Sequence, residues 1–71
     1  MELVERERYT ELFDKFQGLL TQTQRQTLQL YLFEDLTISE IAAEVATSRQ
    51  AVHDAVKKGL AKLDEIQSKM E

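Results

Sequence analysis

Residues 40–58 read EIAAEVATSRQAVHDAVKK. Ile41, Ala42 and Val45, with Ile38 just upstream, recur at the three- and four-residue spacing of a helix face, and Val52, Val56, Leu60 and Leu63 resume that spacing after a break at Ala46-Thr47-Ser48. Two short-range signals place the ends. Thr37-Ile38-Ser39-Glu40 has the form of a capping box, stabilising by about 1 kcal/mol, and Ser48 can accept from the first free amides of a following helix. The pattern predicts helices over about 38–46 and 48–68 with a tight turn between them.

At 100° per residue, positions 49, 50, 53, 54, 57 and 58 fall away from the Val52-Val56-Leu60 stripe. They are Arg49, Gln50, His53, Asp54, Lys57 and Lys58. A bracing helix, a turn and a second helix with a polar outer face is the helix-turn-helix plan, whose second helix enters the DNA major groove by its N-terminal half. Small residues are needed where the helices cross, and Ala42, Ala43, Ala46, Ala51 and Ala55 are candidates. Arginine pairs bidentately with guanine and glutamine with adenine, so Arg49 and Gln50 are the candidates for base contact. Lys57 and Lys58, two turns on, suit phosphates, His53 suits either, and Ser48 completes the candidate DNA-binding set mainly as a cap. The same row also fits an ordinary solvated face, with Asp54 pairing Lys57 or Lys58.

Upstream, Tyr9, Leu12, Phe13, Phe16, Leu19 and Leu20 predict a helix over about 2–17 with Gly18 near its C-terminus. Thr21 with Gln24 forms a second capping box, opening a helix over about 22–34 through Leu28, Tyr31 and Leu32. The run LQLYLF alternates like a strand, but a lone strand has no partner. Tyr9, Phe13, Phe16, Tyr31 and Phe33 are assigned to the core rather than to a base-stacking platform. With no proline and two glycines, the chain is expected to be all-α, a four-helix small domain spanning residues 1–71.

Composition narrows the chemistry. A chain of 71 residues buries only about 60% of its unfolded surface. It has no cysteine to reinforce it, so helix packing or a homodimer must do so, and a reducing cytoplasm is the natural compartment. No window approaches the roughly 20 apolar residues of a bilayer span, and charge begins at the second residue, so neither membrane insertion nor a secretory leader is expected. His53 is the sole histidine, which leaves no zinc site of the usual kinds. Glu2, Glu5, Glu7 and Glu11 are placed on a hydrated helix face without a pocket to shift them. No catalytic residue, metal or cofactor is therefore expected, and the chain does not read as an enzyme.

The net charge is −4 and argues against nucleic acid only if its distribution is ignored. Residues 1–47 carry four bases against nine acids, a balance of −5, whereas residues 48–63 carry Arg49, Lys57, Lys58 and Lys62 against Asp54, a balance of +3.

The stretch LLTQTQRQTLQLYLFEDLTISEIAAEVATSRQAV resembles the DNA-binding region four of bacterial sigma factors. The longer run from LFDKFQGLLT through SRQAVHDAVKK is similar to the YlxM-type (UPF0122) family of small helix-turn-helix proteins. The likeness covers about Leu12 to Leu63, and its most specific pieces are LLT..QR at Leu19 to Arg25, EIA at Glu40 to Ala42 and SRQAV at Ser48 to Val52. It implies a cytoplasmic, all-helical regulator that binds double-stranded DNA through Arg49, Gln50 and His53. It also implies a link to the signal recognition particle, whose components the family is encoded beside. Three positions depart from the family pattern: Ala46 stands where the turn usually has glycine or asparagine, Thr47 where an apolar residue is usual, and His53 where relatives often carry an aromatic ring. Ala46 costs about 1–2 kcal/mol if the turn forces it left-handed. Two functions fit: a DNA-binding regulator acting as a dimer, or an adaptor docking its acidic half on a protein or ribonucleoprotein of the secretion pathway.

Overall fold

A computed structural model describes residues 2–70. Its described residues form α1 (Leu3–Phe16), a 3-10 turn (Gln17–Leu19), α2 (Gln22–Leu32), α3 (Ile38–Glu44) and α4 (Arg49–Met70), with no strand. The all-α expectation holds, and LQLYLF is helical.

Both capping boxes form. The Thr21 hydroxyl accepts from the Gln24 amide at 3.1 Å while the Gln24 side chain accepts from the Thr21 amide at 3.1 Å. Thr37 and Glu40 repeat the exchange at 3.2 and 2.9 Å. These reciprocal bonds satisfy two of the amides that a helix start leaves without partners, so the boxes fix where α2 and α3 begin.

Helix ends depart from expectation for identifiable reasons. Ala46 adopts φ 53°, and the Thr47 amide donates back to the Ala42 carbonyl at 3.0 Å, so α3 stops at Glu44 in a Schellman-type turn rather than running to 46. At the end of α2, Asp35 is left-handed at φ 58° and the Leu36 amide donates to Leu30 at 3.3 Å. The next two carbonyls, of Tyr31 and Leu32, accept from the Arg6 guanidinium at 3.3 and 3.2 Å, and Arg6 also pairs with Asp35. A side chain from α1 thus completes the C-terminus of α2 and holds the loop that enters α3. Gly18 has no positive φ, and α1 passes into the 3-10 turn instead of ending on a glycine cap.

The core lies where α2, α3 and α4 meet. Leu28, Ile41, Val52 and Leu63 are fully enclosed, with Leu20, Leu32, Ala42 and Val56 around them and Tyr9, Leu12 and Phe13 of α1 closing one side. Gly59 of α4 permits the close crossing of α2: a Cβ built there would lie 2.7 Å from Leu28 Cδ1. Of the alanines expected at helix crossings, Ala42 is buried and Ala55 half-buried, but Ala43, Ala46 and Ala51 are exposed. Leu19 and Phe33 are also more exposed than their spacing implied, Phe33 covering only the edge of Phe13 with ring centroids 5.5 Å apart.

The last turns of α4 pack on α1. Asp64 accepts from Arg8 at 2.9 Å and from the Tyr9 hydroxyl at 2.6 Å, and Gln67 accepts from Arg8 at 2.7 Å. These bonds carry α4 to Met70, two residues beyond the expected end. Burial pushes the Tyr9 phenol above its ordinary range and its bond to Asp64 adds to that, while the Asp64 bond raises Arg8.

Candidate nucleic-acid interface

The turn between α3 and α4 sets where the second helix points. Ser48 is exposed; its hydroxyl accepts from the Ala51 amide at 3.1 Å, and its carbonyl accepts from the Val52 amide at 3.1 Å. It therefore caps α4 as its sequence position indicated. With Val52 and Val56 pinned in the core, the remaining faces of the first three turns are left to solvent. Arg49, Gln50, His53, Lys57 and Lys58 are all exposed.

Two parallel lines of side chains result. Arg49, His53 and Lys57 follow one another at four-residue intervals, and Gln50, Asp54 and Lys58 form the adjacent line. Among the described residues, Arg49, Lys57 and Lys58 form no ion pair, so the pairing of Asp54 with Lys57 or Lys58 that the spacing allowed is not made. Asp54 instead lies 3.5 Å from the Gln50 amide nitrogen, at the limit of a hydrogen bond. That arrangement leaves the cations available to an outside anion and biases Gln50 along the helix axis.

Alongside this face, Thr23 and Gln26 of α2 border a shallow groove against Thr47, Ala51 and Ala55. The first half of α2 therefore flanks the outward part of α4, an adjacency that nothing in the local sequence signals. Arg6 was likewise missed: its partners lie 25 to 29 residues away, and only the fold brings them together.

Among the described residues no three His, Asp or Glu side chains cluster as metal ligands would. No described helix is long and apolar enough to cross a membrane. Glu2, just before α1, and Glu5, Glu7 and Glu11 on it are all exposed, yet they do not form one face. Glu7 and Glu11 continue to Asp14 at four- and three-residue steps, whereas Glu2, nine residues before Glu11, projects about 180° away.

The family described as "UPF0122: Putative helix-turn-helix protein, YlxM / p13 like" matches residues 3–71. Relatives named UPF0122 protein in Bacillus thuringiensis (strain Al Hakam), Bacillus mycoides (strain KBAB4) and Bacillus anthracis (strain A0248) are each 49% identical over 59 residues. The match takes in 83% of this chain and 54% of each relative, so the chain spans about half the length of the curated relatives it matches.

Proposed function

The chain belongs to the UPF0122 family of YlxM/p13-like helix-turn-helix proteins, and from that premise we propose that it is a cytoplasmic, sequence-specific DNA-binding regulator acting as a homodimer. One observation carries the reading: the first three turns of α4 present Arg49, Gln50, His53, Lys57 and Lys58 to solvent, with their three cations outside any ion pair among the described residues. In this reading Arg49 and Gln50 enter the major groove and contact base edges, Lys57 and Lys58 neutralise phosphates, His53 contacts either, and Ser48 holds the helix start in register. The Arg6 bonds set the loop into α3, and the α3 turn then fixes the angle at which α4 is offered. Three cations per copy give weak binding at physiological salt, and a second copy on a symmetric site doubles them.

Titration of a fluorescent duplex with salt tests this. Two phosphate contacts per copy, from Lys57 and Lys58, predict a slope of about −1.8 on logarithmic axes for a half-site, and Lys57→Ala lowers its magnitude by about one unit. A flat salt response refutes groove binding.

A second reading rests on the exposed stripe of Glu7, Glu11 and Asp14, which suits a basic partner such as a protein or ribonucleoprotein of the signal recognition particle pathway. It predicts that charge reversal at Glu7 or Glu11 weakens partner capture while Arg49→Ala leaves it intact. The reverse pattern rejects it.

A further inference from the structure

We propose that a groove at the far end of α4 receives the first turn of α1 from a second copy of this chain. The inference rests on the two-copy reading above for its purpose, though not for its test. Phe16, Leu19, Lys62, Ile66, Lys69 and Met70 line the groove. Among the described residues five large apolar side chains are well exposed, and four of them belong to two patches: Leu19 (61%) and Met70 (69%) at this groove, Leu3 (70%) and Val4 (74%) at the start of α1. The patches differ in net charge. Exposed Lys62 and Lys69 rim the groove, where Glu65 pairs with Lys69 at 3.1 Å and leaves Lys62 in excess, while Glu2 and Glu5 bracket Leu3 and Val4.

An apolar strip carrying the excess cation Lys62 and an apolar strip between carboxylates are complementary, and complementarity of this kind selects register and partner. The chain cannot make the contact within itself. Val4 and Phe16 lie on one rigid helix twelve residues apart, about 18 Å at 1.5 Å per residue. Between two copies related by a two-fold axis the contact forms twice and closes. It also leaves the reading face free, because Ile66 lies seventeen residues beyond Arg49, about 25 Å along α4. Stable interfaces cover about 800 Å² per partner, roughly a sixth of the 4872 Å² this chain exposes. Each patch offers two well-exposed large apolar side chains, so the dimer is weak and concentration-dependent.

Sedimentation equilibrium of the chain over about 10 μM to 1 mM, the range where small interfaces assemble, reads the outcome. The wild type shifts from monomer to dimer across that range. Leu19→Asp weakens the dimer at least tenfold. Glu5→Lys and Lys62→Glu each weaken it several-fold, and combined they restore it, a rescue that simple loss of folding cannot produce. Arg49→Ala leaves association unchanged. A dimer indifferent to Leu19→Asp and to both charge reversals overturns the inference. So does a chain monomeric throughout, which assigns the groove to some occupant other than a second copy. Failure of DNA recognition reads differently: the dimer persists while duplex binding is absent. If both readings hold, Leu19→Asp keeps its affinity for a duplex bearing one half-site and loses the gain from a second.

Discussion

Gly59→Ala adds one methyl group at the crossing of α2 and α4, and its effect can be worked from the local geometry. The new Cβ would stand 2.7 Å from Leu28 Cδ1 and 3.1 Å from Leu28 Cγ. Carbon atoms in contact prefer about 3.5–4.0 Å, so Leu28 or α2 must retreat by about 0.8 Å. Leu28 is completely enclosed, so its side chain has packed neighbours on every side. Overpacking of this kind costs about 1–3 kcal/mol, and the better helix propensity of alanine returns about 1 kcal/mol. The net expectation is a loss of about 1 kcal/mol, or roughly 4–8 °C in Tm for a domain of this size. Gly18→Ala is the control, since nothing lies within 4 Å of its position and its φ is not positive. There the smaller unfolded-state entropy of alanine should stabilise by about 0.4–1 kcal/mol. Urea unfolding followed by far-ultraviolet circular dichroism should therefore separate the two variants by about 1.5 kcal/mol in opposite directions. In a Leu28→Ala background, itself about 2–5 kcal/mol less stable, Gly59→Ala should reverse sign, because the clash is gone and the methyl fills part of the cavity. Equal effects at the two glycines, or the same sign in both backgrounds, would refute the claim that the glycine at 59 sets the helix crossing.

Ala46→Gly relieves a left-handed alanine worth about 1–2 kcal/mol and adds back less than 1 kcal/mol of unfolded-state entropy, so thermal unfolding should show a gain of about 0.5–1 kcal/mol. Tyr9→Phe removes the hydroxyl bonded to Asp64 and should cost about 1–2 kcal/mol at neutral pH in urea titration. The raised pKa of Tyr9 means the folded state holds its proton more tightly than the unfolded state. Its contribution is therefore complete below the unfolded value of 10.0 and falls as pH rises through the folded value; wild type should lose stability above pH 10.0 more steeply than Tyr9→Phe. Asp54→Ala removes the one carboxylate on the first three turns of α4 and frees Gln50, so duplex affinity measured by fluorescence anisotropy should rise several-fold, most at low salt.

What could be read in advance follows from the range of each interaction. Capping signals are written within four residues, so the boxes at Thr21 and Thr37 and the N-cap at Ser48 announced three helix starts correctly. The outward placement of Arg49 through Lys58 followed from the inward placement of Val52 and Val56, a strictly local relation. Helix ends were less legible because they depend on long-range partners: Arg6 finishes α2 from another helix, and Asp64 and Gln67 lengthen α4 by tying it to α1. Composition suggested that any alanine could sit at a crossing, but only tertiary placement distinguishes buried Ala42 from exposed Ala43. Leu19 and Phe33 kept helical spacing and still came out exposed. The spacing of Leu19 fails because a 3-10 turn breaks the helical frame after Phe16, and Phe33 sits where α2 has already ended.

The acidic total and the proposed anionic partner are compatible because distance and screening separate them. At physiological ionic strength charges on the surface act over about 8 Å. Asp64, which ties α4 to α1, lies fifteen residues beyond Arg49, about 22 Å along the helix at 1.5 Å per residue. It is also already paired with Arg8. Arg8 and Tyr9 tie α1 to that same end of α4, away from Arg49, His53 and Lys57. The only opposing charge among the outward residues of those first turns is Asp54. A phosphate approaching there meets a local excess of cations, whereas one approaching α1 meets Glu7, Glu11 and Asp14. In the proposed reading the acidic half disfavours poses that bring α1 to a polyanion and favours those that present α4.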